Sequence, residues 1–116
     1  MRLSKTSFAN VAASQTDANV ITGKDGVVLR IVGGWAICAG TATNLTFNSK
    51  GTGAGTAITS ILPFGANGGF VIPTPNVVPS GEPPYGYFDT NKGEGLTVTT
   101  GAGASIVGVT VRYLEI

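Results

Sequence analysis

Apolar and polar residues alternate along this chain in short runs, and glycine-bearing turns separate the runs. No window of 11 or more residues repeats apolar side chains at helical spacing, so strands are expected throughout and helices nowhere. Residues 6–14 and 18–22 read as opening strands. Lys24-Asp25-Gly26 follows as a turn, because Asp-Gly tolerates the positive φ angles of tight hairpins. Residues 27–38 read as one long strand, with Val27, Leu29, Ile31 and Trp35 on one face and Val28, Arg30, Val32, Ala36 and Cys38 on the other. That alternation predicts Trp35 in the core. Gly33-Gly34 in the middle of the strand signals a bulge or a bend.

Residues 43–48 alternate cleanly, and 50–55 form a glycine-rich hairpin loop. Residues 56–64 read as a further strand ended by Pro63, and 69–72 as a short one. Two good strands close the pattern, 96–100 and 105–116, around Gly101-Ala102-Gly103. In the last of them Val107, Val109, Val111 and Tyr113 share one face, which leaves Ile106, Leu114 and Ile116 as outer apolar positions that invite cover from a neighbouring subunit. About eight strands with frequent turns point to an all-β antiparallel sandwich or barrel, and a jelly-roll-like β-sandwich suits the strand count. One domain spanning 1–116 is expected, with a proline- and glycine-rich surface loop at about 65–88. Proline cannot donate to a β-ladder, so that loop should lie at an edge or on the surface, where long loops tend to be functional.

Composition narrows the functional classes. Charged residues make up 11% of the chain, against roughly 25% in ordinary soluble domains. The net charge of +1 offers no basic reservoir for nucleic acid or an anionic membrane, so neither is expected as a partner. The absence of histidine excludes a Ser/His/Asp or Cys/His constellation and any His-liganded metal. A single cysteine, Cys38, excludes an internal disulfide and a cysteine-based zinc site, and an inert buried thiol is expected there. Met1-Arg2-Leu3-Ser4-Lys5 has the charge of a signal peptide without the apolar stretch, which predicts intracellular synthesis.

Candidate chemistry is sparse. Gly51-Thr52-Gly53-Ala54-Gly55-Thr56 lacks the Lys-Ser/Thr and the helix of a phosphate loop. Asp89 and Glu94 are close enough in sequence to suggest a carboxylate pair, and with Asn91 they could ligate calcium, though the spacing matches no established loop. Neither a catalytic, a metal nor a cofactor site is expected. Tyr85 and Tyr87 are better placed than Trp35 for surface recognition, and Arg30 and Arg112 stand on outward faces.

Tyr87-Phe88-Asp89-Thr90-Asn91-Lys92-Gly93-Glu94-Gly95-Leu96-Thr97-Val98 resembles a pattern of small tailed-phage virion proteins, in which an aromatic and a threonine precede a G-E-x-L-x-(L/V) strand. The closing strand of that family ends Y-x-E-(I/V), here Tyr113-Leu114-Glu115-Ile116. Gly23 to Ile31 resembles the family's G-K-x-I-x-(V/I) strand with an inserted turn, and 43–48 sits where the family keeps a (V/L)-T-F strand. The likeness covers roughly 18–50 and 85–116, while 65–84 is longer than the family's usual loop. The resemblance implies a head decoration, or cement, protein: a virion component made in the host bacterial cytoplasm that binds the outside of the capsid. Its partners would be the major capsid protein and itself, as a homotrimer in preference to a dimer. A carbohydrate-binding tail or fibre module, or another tail accessory protein, is the competing class. The contacts expected are Arg112, Leu114 and Ile116 between subunits, with Phe70, Tyr85 and Tyr87 of the long loop toward a partner.

Overall fold

The computed structural model describes residues 4–73, 86–102 and 106–116. Ten strands succeed one another: β1 (Lys5–Val11), β2 (Ala18–Ile21), β3 (Leu29–Cys38), β4 (Thr43–Lys50), β5 (Thr56–Ala57), β6 (Leu62–Phe64), β7 (Gly69–Ile72), β8 (Phe88–Asp89), β9 (Gly95–Thr100) and β10 (Val107–Glu115). They build two antiparallel sheets packed as a β-sandwich. The first sheet has the order β1-β10-β3-β7, with β8 pairing β3 beyond β7. The second has the order β2-β9-β4-β5, with β6 also on β4. From β1 to β4 the chain changes sheet at every step. The turn in which Val27 N donates to Lys24 O, with Gly26 at φ 74°, is therefore a corner between sheets and not a hairpin.

The core lies between the sheets. Ile31, Ala36, Val107, Val109 and Val111 face it from the first sheet; Leu45, Phe47, Leu96 and Val98 face it from the second. Each such side chain contributes about 1.5–3 kcal/mol by leaving water. Phe47 crosses the interior to Phe88 and Phe70, with ring centroids 5.1 and 6.4 Å away.

The expected bulge in β3 reverses the expected fate of Trp35. Along β10, Arg112 faces Gly33 and the next residue, Tyr113, faces Ile31, so Val32 is an extra residue in β3. One inserted residue moves everything beyond it to the opposite face. Leu29 and Ile31 point inward before the bulge, Ala36 and Cys38 point inward after it, and Trp35 stands outside at 47% exposure. Gly34 makes the bend possible. Its φ is +134°, and a Cβ there would lie 2.1 Å from Thr110 O.

Two further elements differ from expectation. The strand expected over 56–64 is split into β5 and β6, and the ladder is broken over 58–61, where Ile58 N still donates to Phe47 O of β4 and Thr59 Oγ1 accepts from Phe47 N. Pro63 sits inside β6 opposite Asn44, tolerated because β6 is an edge strand. β8, with only two residues, carries no alternation to read, yet it fixes Phe88 opposite Ile31 and Asp89 opposite Arg30.

Candidate docking surface

The outer faces of the two sheets have opposite chemistry. The second sheet turns outward Asn19, Asn44, Thr46, Asn48, Thr97 and Thr99, hydroxyl and amide groups of which Asn48 and Thr97 are buried beneath Asp17. The first presents apolar side chains. Register places Phe8 beside Thr110, Thr110 beside Trp35 and Trp35 beside Val71, so one row crosses all four lanes of the sheet. Ile37 stands two residues along β3 from Trp35, Ile106 just before β10, and Tyr87 at the other end of the β7 lane. Of the seven large apolar side chains exposed among the described residues, six lie on this face, and Ile61 is the seventh. Phe8 and Val71 are each 72% exposed.

The same face ends in a fixed polar group. Arg30 Nε and Nη2 donate to the two Asp89 oxygens at 2.9 and 3.0 Å, a bidentate pair that pushes the guanidinium pKa further up and holds the side chain flat. Tyr87 N donates to Ile31 O beside it, and Arg30, Gly86, Tyr87, Phe88 and Asp89 line a hollow of about 270 Å³.

The residues singled out from sequence fall into different places. Arg112 is exposed on the apolar face, one row from Thr110, and donates to Ser4 Oγ. Leu114 is corrected: it points away from the core but is 1% exposed, opposite Arg30, so it is no bare outer position. Ile116 is half-buried and exchanges both backbone hydrogen bonds with Val28. Phe70 packs inward against Phe47 and Phe64, so its ring is a core group rather than a surface contact. Tyr87 is half-exposed, and Tyr85 lies outside the described residues. Sequence reading missed Phe8, Ile37 and Val71. The signal was available in the phase of alternation, since each sits between inward-facing neighbours, but for Ile37 it required switching phase at Gly33-Gly34.

The carboxylates hold the scaffold together. Asp17 accepts from Asn48 Nδ2 (3.2 Å), Thr97 Oγ1 (3.0 Å) and Gly55 N (3.0 Å), pinning the glycine-rich loop to β9. It lies at the edge of an open hollow of about 420 Å³ that Lys50 and Thr52 also line. Glu94 accepts from Ser49 Oγ and Asn91 Nδ2, while Asp89 is engaged by Arg30. Asp89 and Glu94, close in sequence, thus make two separate sets of contacts. Cys38 is buried, and its Sγ donates to Gly65 O at 3.0 Å. Among the described residues no three His, Cys, Asp or Glu side chains converge as a metal site would require.

Compared with protein-family models, curated proteins and solved structures, the chain matches none.

Proposed function

We propose that this chain is a structural virion protein of the head-decoration type, which binds the outside of a tailed-phage capsid and stabilises contacts between major capsid proteins. The observation that carries the reading is the sorting of surface chemistry. Exposed apolar side chains collect on one outer sheet face, while Asp17, Asp89 and Glu94 are engaged within the fold. Such a molecule is equipped to dock and not to turn over a substrate. The alternation of β1 to β4 between two four-lane sheets supports the jelly-roll reading. A protein that binds only the assembled lattice stabilises it by RT ln(1 + [L]/Kd) per site, and many copies across capsomer boundaries sum that term.

The test is co-sedimentation of the purified protein with undecorated heads. Saturable binding at many copies per head is the expected result, and serine at Tyr85 and Tyr87 should weaken attachment without unfolding the protein. Absence of binding to heads overturns the reading. A second reading rests on Tyr87 beside the Arg30–Asp89 pair: an aromatic ring next to a charged hydrogen-bonding group is suited to a sugar. Retention on host polysaccharide, lost in Tyr87→Ser, would favour a glycan-binding tail module.

A further inference from the structure

From the row Phe8–Thr110–Trp35–Val71 we infer that the outer face of the first sheet is the interface on which a second copy of this chain docks, face to face about a two-fold axis. The first argument is charge. In a two-fold contact the same patch meets itself, so every net charge on it confronts its own kind. On the outer side of these strands the charged side chains are Arg30 and Asp89, which neutralise each other, and Arg112, two residues along β10 from the row, so the patch carries a single net positive charge beside the apolar row. An acidic or basic partner would find little charge here to recognise.

The second argument is area. The four lanes carry 7, 9, 10 and 4 residues, and at about 3.4 Å per residue and about 4.8 Å between strands they cover on the order of 500 Å² in projection. Accessible area exceeds projected area, so the face falls between the low end of specific interfaces, about 600 Å² per partner, and the roughly 800 Å² of standard ones. The third argument is contrast. The outward positions of the second sheet are threonine and asparagine, so an apolar outer face is particular to the first sheet. Phe8 and Val71, each 72% exposed, give the single chain little and would give a pair a continuous apolar contact.

A flat sheet face meeting itself closes at two copies, whereas three-fold assembly requires two different complementary patches. The interface is thus a pair, unlike the trimer that the family resemblance implies. It is also centred on β1, β3 and β7, away from Leu114 near the end of β10 and from Ile116 beyond it. The inference concerns the protein alone and stands or falls apart from any binding to capsids.

Trp35 is the only tryptophan, so its fluorescence reports this face directly. Sedimentation equilibrium of the full chain, from micromolar to near-millimolar concentration, should show a two-chain mass, with Trp35 emission moving to the blue as pairs form. The double variant Phe8→Glu with Val71→Glu should pair at least about 100-fold more weakly and keep red-shifted emission at all concentrations. It should still unfold cooperatively, and Thr46→Glu on the other sheet should pair as the parent does. A single-chain mass throughout, a three-chain mass, or pairing that survives the double variant each overturns the inference. So does pairing that leaves Trp35 emission unchanged. A single-chain mass with blue emission would mean that the chain covers the face itself. Should the double variant not fold, the mass and emission series on the parent protein still decides.

Discussion

Asp17 occupies the left-handed region at φ 52°, which aspartate tolerates better than most residues. In that position one carboxylate serves β4, β9 and the backbone of the glycine-rich loop at once. Asn48 and Thr97 are 5% and 4% exposed, so water cannot replace the lost acceptor freely if Asp17 is removed. Asp17→Ala should therefore cost about 1–3 kcal/mol, the penalty for stranding buried donors, and denaturant unfolding would measure it. A sequence reader sees Gln15-Thr16-Asp17 as a turn. That Asp17 accepts from residues 31 and 80 positions away follows only once β4 and β9 are paired beside it.

At the scale of elements, Glu115 ties β10 to both β1 and the β2–β3 corner by ion pairs with Lys5 and Lys24, the latter at 2.8 Å. Hydrogen bonds from Lys24 and then Lys5 hold its carboxyl below the usual carboxylate range, and the Glu115 contact raises the Lys5 amine. A carboxyl depressed in the folded state adds stability above its unfolded pKa and loses it as pH falls through the folded value. A raised lysine adds stability below its unfolded pKa and loses it as pH rises through its own folded value. The melting temperature should therefore fall more steeply on acidification through the carboxylate range in the parent than in Glu115→Gln. The difference should shrink in high salt, because these groups are solvated. Differential scanning fluorimetry across pH at two ionic strengths measures both effects.

For the molecule as a whole, Phe47 is the side chain that joins the sheets. It rises from β4 and is 1% exposed, meeting Phe70 of β7 and Phe88 of β8 from the opposite sheet. Phe47→Ala opens a cavity between the layers and should cost about 3–5 kcal/mol. That is a large share of the roughly 5–15 kcal/mol that stabilises a domain of this kind. Thermal and denaturant unfolding would check it. A loss below about 1 kcal/mol would show that the sheets do not depend on this contact.

The strand periods, the turns and the β class were legible in the sequence because alternation and glycine placement are local consequences of the pleat and of backbone sterics. The inward faces of β4, β9 and β10 could be read the same way, since each strand is unbroken and keeps one phase from end to end. The candidate surface was legible only in part. Gly33-Gly34 announced a bulge, but which side of it was in phase with the core depends on the pairing of Tyr113 with Ile31 across β3, a contact over 80 residues apart in sequence. The exposure of Trp35, the burial of Leu114 and the single row formed by Phe8, Trp35 and Val71 are therefore decisions of tertiary structure. Register between distant strands sets them, and no local pattern carries that register.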